Sequence, residues 1–232
     1  MLNISQLAYY YDGKPVLSIE HFHLEAGRHA IILGPSGSGK STLLHLLAAV
    51  LTPQQGLIEI AGTDVGNLPP RAADAWRGRH IGLLPQQLAL VASLSARENI
   101  LLPAYARGVP PDPARADGLL AALGLAAKAH ALPHQLSQGQ RQRVALARAM
   151  YGRPILLLAD EPSANLDDRA CAAMVRLLLE QAGRENTSLV MASHDARLLA
   201  ALPGATVLRL PARGETRGET HGETHGETVC RA

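Results

Sequence analysis

The stretch Gly34-Pro35-Ser36-Gly37-Ser38-Gly39-Lys40-Ser41-Thr42 fits the pattern G-x-x-x-x-G-K-[ST] of a phosphate-binding loop. The short apolar run at 29–33 predicts a buried strand before it, and leucines at helical spacing over 41–50 predict a helix after it. Strand, glycine loop and helix are the context that this motif requires. The alternative is a glycine turn that matches by chance, and the flanking pattern disfavours it.

The residue types in this loop suit a nucleoside triphosphate. Gly37 and Gly39 allow the backbone to curl so that its N–H groups point at phosphate oxygens. Lys40, at the positive end of the predicted helix, carries a charge toward the β- and γ-phosphates, and the Ser41 hydroxyl can ligate Mg²⁺. We therefore predict that the whole loop binds the nucleotide through Gly34, Pro35, Ser36, Gly37, Ser38, Gly39, Lys40, Ser41 and Thr42.

Two further strands end in polar residues that suit the same chemistry. The apolar run 155–159 ends in Asp160 and Glu161. Beside a phosphate loop, Asp160 is the expected second anchor for Mg²⁺, and Glu161 can polarise a water against the γ-phosphate. The alternative is a strand capped by solvated acids. The predicted strand 188–192 leads to His194. A lone histidine after a strand is usually structural, so a functional role for His194 depends on its position alone.

Composition limits the class of protein. The chain has 232 residues, of which 47% are hydrophobic and 18% charged, as in a soluble globular protein. A net charge of +2 gives no argument for a nucleic-acid partner, and none is predicted. Cys171 and Cys230 form no metal or redox motif, which is typical of a reduced, cytosolic compartment. No apolar run is long enough to span a bilayer.

The chain divides into segments of different character. Residues 1–28 predict strands, with Tyr11 in a run of tyrosines before a turn; ordinary strand tyrosines are the simpler interpretation, and stacking on a base is the other. Residues from about 88 to 150 predict a helical subdomain inserted between two strands of the core. Residues 212–232 carry a repeat with glycine in every fourth place, which predicts a disordered tail.

Together these motifs resemble those of the ATP-binding cassette (ABC) ATPases, over residues 1 to about 211. In the order of that family they are a Walker A loop at 34–42, a Q-loop at Gln86, a signature at 136–140, Walker B at 155–161, a D-loop at 163–167 and a switch histidine, His194. Gln138 replaces the first glycine of the usual Leu-Ser-Gly-Gly-Gln signature. The resemblance implies an α/β P-loop NTPase of ABC type. Such a fold has a RecA-like core, an antiparallel β subdomain and an inserted α-helical subdomain.

The resemblance also implies roles for single residues. Glu161, His194 and Gln86 become catalytic residues, Ser41, Gln86 and Asp160 become Mg²⁺ ligands, and Tyr11 becomes the base-stacking aromatic. It further implies a head-to-tail homodimer with two ATP molecules between the protomers. The signature would complete the partner's γ-phosphate pocket through Ser137, Gly139 and Gln140.

The segment 94–103 resembles the ATPases of macrolide export and lipoprotein release, which serve separate permeases of the FtsX-like type. That implies a cytoplasmic protein, peripheral on the inner face of the cell membrane. The apolar segment after Gln86 is a candidate docking surface, although Leu88, Leu90 and Val91 can instead pack under the helical subdomain. Two rival classes are a non-transport ABC ATPase, such as a cofactor-assembly factor, and a P-loop small-molecule kinase, which would lack the signature. The transported substrate and the direction of transport stay open.

Overall fold

The computed structural model describes residues 1–164 and 166–212 and the backbone of 227–229. Within that part of the chain, no helix is both long and apolar enough to cross a membrane. The described elements form two β-sheets with helices packed around them.

The larger sheet is parallel and has the strand order β10-β9-β3-β8-β7-β6. Its central strands are almost continuously apolar, as expected for strands covered by helices on both faces. Neighbouring residues of β3 show this directly, because Ile31 belongs to one hydrophobic cluster and Ile32 to another. The strands are β3 His29–Leu33, β6 Ile81–Leu84, β7 Leu156–Asp160, β8 Ser188–Ser193, β9 Thr206–Arg209 and β10 Glu227–Val229.

The smaller sheet is antiparallel, with the order β2-β1-β4-β5. Its apolar face packs on the cluster that contains Ile32, together with Leu43 of the helix after the phosphate loop. The antiparallel sheet therefore covers the side of the core that contains the helix after the phosphate loop. Its strands are β1 Leu2–Tyr11, β2 Lys14–Leu24, β4 Gln55–Ile60 and β5 Thr63–Asp64.

Seven α-helices lie in the described part of the chain, and three of them form the segment between β6 and β7. In that segment Ser95 and Ser137 each begin a helix with a capping box, which satisfies backbone N–H groups that the helix leaves free. The helices are α1 Lys40–Leu47, α2 Pro70–His80, α3 Ala96–Ala106, α4 Pro113–Ala122, α5 Gln138–Met150, α6 Asp168–Arg184 and α7 Arg197–Ala201. The α/β architecture with an antiparallel sheet and inserted helices agrees with the prediction.

One part of the predicted disordered tail differs from expectation. The backbone of Glu227–Val229 forms β10, which pairs in parallel with β9. The edge of β9 offers N–H and C=O groups for pairing, and an extended segment can satisfy them with its backbone alone. The glycines of the repeat therefore do not prevent this pairing. The rest of the repeat lies outside the described residues.

Candidate functional site

The phosphate loop runs from the end of β3 to the start of α1 and depends on glycine. Gly37 and Gly39 have φ of +79° and +94°, in the left-handed region that glycine adopts without strain. A Cβ atom on Gly39 would also lie 2.7 Å from the Leu17 side chain and 3.0 Å from the Val16 carbonyl oxygen. The loop is therefore fixed by the close approach of β2, a long-range contact that the motif alone does not reveal.

Lys40 is held inside this loop. Its side chain is only 6% exposed, and its Nζ donates to the carbonyl oxygens of Gly34 at 2.8 Å and Pro35 at 2.9 Å. The same ammonium lies 3.6 Å from Glu161 Oε1. Carbonyl and carboxylate groups of the protein thus place the cation in the loop, as suits a phosphate-binding lysine.

The carboxylate of Glu161 is the centre of a polar cluster at the ends of β7 and β8. Parallel pairing of these strands sets Asp160 opposite Ala192, and so brings Glu161 beside the next residues of β8. Glu161 Oε2 accepts a hydrogen bond from Ser193 Oγ at 2.8 Å, and Oε1 lies 2.9 Å from His194 Nδ1. Glu161 also has φ of +46°, a conformation that costs a non-glycine residue of order 1 kcal/mol and is concentrated at functional sites.

Asp160 fits a divalent cation. Burial raises the pKa of its carboxyl group, as does the charge of Glu161, while a hydrogen bond from the Ser41 side chain acts the other way. Its Oδ1 atom is buried and has no hydrogen-bond partner among the described residues. An unpaired carboxylate oxygen beside a hydroxyl is a donor set that Mg²⁺ accepts, so the residues present suit that ion.

A cleft of about 370 Å³ joins the phosphate loop to Glu161 and His194, whereas Asp160 is not among the residues of its wall. Of the predicted catalytic residues, Gln86, Glu161 and His194 all line it. The wall consists of Val16, Ser36, Gly37, Gly39, Lys40, Ser41, Thr42, Gln86, Glu161 and His194. The structure therefore brings residues from five separate parts of the sequence together at the carboxyl ends of the parallel strands.

Several predicted residues lie outside the wall of this cleft. Gly34 and Pro35 face Lys40 through their carbonyl groups, and Ser38 is buried beneath the loop. Tyr11 is 65% exposed at the end of β1 and does not line the cleft. Val16 does line it, and sequence reasoning missed it. Its place two residues after Lys14 in an ordinary strand pattern carries no signal of that role.

The signature residues are placed at the start of α5. The Ser137 side chain accepts from the Gln140 backbone N–H at 3.3 Å, and Gln140 Oε1 accepts from the Ser137 N–H at 2.8 Å. A Cβ atom added to Gly139 would meet nothing within 4 Å, so this turn is open to solvent. None of the three lines the phosphate cleft of its own chain. Asn165 of the predicted D-loop lies outside the described residues.

Comparison with known proteins identifies the family. A family model described as ABC transporter matches residues 17–164. The chain belongs to the ABC transporter family. The protein is accordingly an ATPase that serves as the ATP-binding subunit of an ABC transporter.

Curated relatives of this ABC ATPase carry one recurring name. The lipoprotein-releasing system ATP-binding protein LolD 1 of Rhodopirellula baltica is 41% identical over 204 residues, which cover 85% of this chain and 89% of the relative. The LolD protein of Bacteroides fragilis is 34% identical over 200 residues, covering 85% and 93%. The predicted resemblance to the lipoprotein-release group is confirmed, and the kinase alternative is excluded.

Solved structures of ABC cassettes share the fold. The cassette MJ0796, a dimer in a post-hydrolysis state bound to ADP and Pi, has a TM-score of 0.78 at 27% identity, covering 94% of this chain and 100% of that one. The cassette cbiO1 of Clostridium perfringens, part of the transporter complex cbiONQ, also has a TM-score of 0.78 at 26% identity, covering 89% and 83%. The predicted ABC-type fold is therefore confirmed.

Proposed function

We propose that this ABC ATPase binds ATP with Mg²⁺ in the cleft, dimerises around the nucleotide, and drives a membrane complex of the lipoprotein-releasing kind. The convergence of Lys40, Gln86, Glu161 and His194 on one cleft carries the catalytic part of the proposal. The names of the curated relatives support the lipoprotein-releasing part. The alternative of a cofactor-assembly factor has no comparable support.

In this proposal each side chain at the cleft has a separate role. Lys40 and the backbone N–H groups of the loop bind and orient the phosphates. Glu161 polarises the attacking water, since it is the only carboxylate among the residues that line the described cleft. His194, within 2.9 Å of that carboxylate, orients it and can contact the γ-phosphate. Ser41, Asp160 and Gln86 would hold Mg²⁺, which neutralises charge on the phosphates.

Dimerisation follows from the place of the signature. Ser137 and the first N–H groups of α5 form an anion site, but they lie outside the cleft of their own chain. A second copy, turned head to tail, would bring this site against the γ-phosphate. The MJ0796 cassette is described as dimeric, which supports this arrangement.

The dimer is tested with a variant that binds ATP without turnover. We expect Glu161→Gln with Mg-ATP to shift from monomer to dimer in light scattering. Ser137→Arg in the same background should stay monomeric, because the larger side chain crowds the γ-phosphate pocket. A Ser137→Arg protein that still dimerises with ATP would contradict the arrangement.

The membrane partner, proposed to be an FtsX-like permease, is expected to dock beside Gln86. In this segment Leu88 and Leu90 are partly buried against the helical core, as the packing alternative predicted. Val91, by contrast, is 40% exposed and does not belong to that cluster. The docking surface is therefore reduced to the neighbourhood of Val91. Through such a partner, the ATPase would lie on the inner face of the membrane.

Docking is tested with a charge on that surface and a matched control. Val91→Asp should retain basal ATPase activity but lose co-purification with the permease and stimulation by it. Val109→Asp is the control, because Val109 is exposed to 39% and lies beyond the end of α3. If Val91→Asp still binds the permease and is stimulated by it as the wild type is, the docking surface is elsewhere.

The domain limits are also a proposal. We take residues 1–211 as the ATPase domain, with the helical subdomain at about 88–150, and the repeat as an appendage. Truncation after Pro211 would remove β10 and its pairing with β9, far in sequence from the nucleotide cleft. We expect the truncated protein to keep its ATPase rate; loss of activity without loss of folding would show that the tail takes part in the site.

A further inference from the structure

The loop between β6 and α3 joins the nucleotide cleft to the inserted helices. At its start, Gln86 lines the cleft. Two residues later the chain reaches Leu88 and Ala89, and Ala89 has φ of +46°. Two residues span at most about 7 Å of chain, so whatever fixes Leu88 also restricts where the Gln86 side chain can reach.

Arg148 of α5 fixes this point. Its Nη2 donates to the Leu88 carbonyl oxygen at 2.6 Å and its Nη1 to the Ala89 carbonyl oxygen at 2.7 Å. The guanidinium is half-buried, and burial lowers its pKa from the ordinary value. A planar fork can hold two successive carbonyl groups at once, which a lysine ammonium cannot do with the same geometry. The two bonds also hold Ala89 in its left-handed conformation.

Asn99 of α3 fixes the remainder of the loop. It is fully buried, its Oδ1 accepts from the Val91 N–H at 2.8 Å, and its Nδ2 donates to the carbonyl oxygens of Val91 at 3.1 Å and Leu94 at 2.9 Å. The loop from Leu88 onward is thus fastened to α3 and α5. Only residues 85–87 lie between the end of β6 and the first of these bonds, and Gln86 is in the middle of them.

We propose that Arg148 is a positioning residue for ATP hydrolysis, which sets the Gln86 amide at the nucleotide by clamping the backbone two and three residues after it. α5 begins with the signature at Ser137 and carries Arg148 near its other end. A displacement of α5 therefore moves the Leu88 and Ala89 carbonyl groups, and with them Gln86. The inference rests on the proposed role of Gln86 in the cleft.

A double-mutant cycle on the full-length chain tests this role. We expect Arg148→Met and Gln86→Ala each to lower basal kcat about tenfold while the KM for ATP stays within about twofold. The double variant should fall no further than Gln86→Ala alone, because both changes remove the same contribution. Arg148→Lys, which keeps the charge but loses the fork, should lie between Arg148→Met and the wild type.

Arg77→Met is the matched control. Arg77 is half-buried on α2 and donates to the carbonyl oxygen of Ala49 at 2.8 Å, and its described hydrogen bonds reach neither the Gln86 loop nor the signature. It should keep kcat within about twofold at a similar loss of thermal stability. If Arg148→Met does not fold, the same cycle is run with Arg148→Lys.

The outcomes separate the failures. Additive losses of Arg148→Met and Gln86→Ala, or a raised KM with unchanged kcat, would show that Arg148 only supports the fold and would overturn the proposal. An unaltered kcat in Gln86→Ala would overturn both the role of Gln86 and that of Arg148. Neither result would touch the assignment of the ATPase site, which Glu161→Gln tests separately.

Discussion

Replacing Glu161 by glutamine should stop hydrolysis and, at the same time, tighten the binding of ATP. The Glu161 carboxylate lies 3.6 Å from the Lys40 ammonium, and the two side chains are 10% and 6% exposed. The γ-phosphate has to compete with this carboxylate for Lys40. An amide of the same shape removes the competitor and its repulsion of the phosphates.

The size of the effect follows from that distance. At an effective dielectric constant of about 20, unit charges separated by 3.6 Å attract by about 4 to 5 kcal/mol. Loss of hydration offsets most of this for a buried pair, which leaves a net of about 1 to 2 kcal/mol. The Kd for Mg-ATP should therefore fall about 5- to 30-fold. Turnover should fall at least about 100-fold, because a neutral amide cannot accept the proton of the attacking water.

The assay has to separate intrinsic affinity from dimerisation. Calorimetric titration of Mg-ATP is therefore carried out with Ser137→Arg in both proteins, so that neither gains affinity by pairing. Glu185→Gln is the control, since that carboxylate forms a partly buried ion pair with Arg115, 2.7 Å away and outside the cleft. Unchanged or weaker ATP binding in the Glu161 variant would refute the competition argument, even if hydrolysis stopped.

Two further predictions concern stability, and Trp76, the single tryptophan, reports both by fluorescence during urea unfolding. Asn99→Leu should lower the free energy of unfolding by about 2 to 4 kcal/mol, because it leaves the Val91 N–H and several carbonyl groups unpaired. Asn3→Leu, on the exposed side of β1, is the control and should change it by less than about 0.5 kcal/mol. Equal effects of the two substitutions would contradict this prediction. His29 accepts a hydrogen bond from the Leu189 N–H through Nδ1, and burial, together with the charge of Arg28, lowers the pKa of its side chain below 6.5. As the pH falls below 6.5, the unfolded chain therefore takes up a proton at this histidine before the folded protein does. We expect the folded state to lose stability over that range. His29→Asn, which cannot titrate, should remove that part of the pH dependence, and an unchanged profile would count against it.

The sequence determined the elements of the site that depend on local order. The predicted site residues at 34–42, Glu161 and His194 each directly follow an apolar strand, and Asp160 is the last residue of one. Carboxyl ends of parallel strands meet at one edge of a sheet, so recognising the strands was enough to predict that these residues converge. The glycine spacing of the loop is likewise a local backbone requirement, visible without any contact.

Only the tertiary structure decided the features that depend on contacts between distant segments. Val16 lines the cleft because β2 crosses against Gly39, and nothing in the pattern of β2 marks that crossing. Tyr11, predicted to stack on the base from its place before the turn, is exposed at the end of β1 and is not among the residues of the cleft wall. Arg148 clamps carbonyl groups about 60 residues earlier, and the helical periodicity of α5 cannot reveal this contact. Backbone acceptors have no sequence signature, since every residue carries one, and so the fold alone determines which carbonyl a side chain meets.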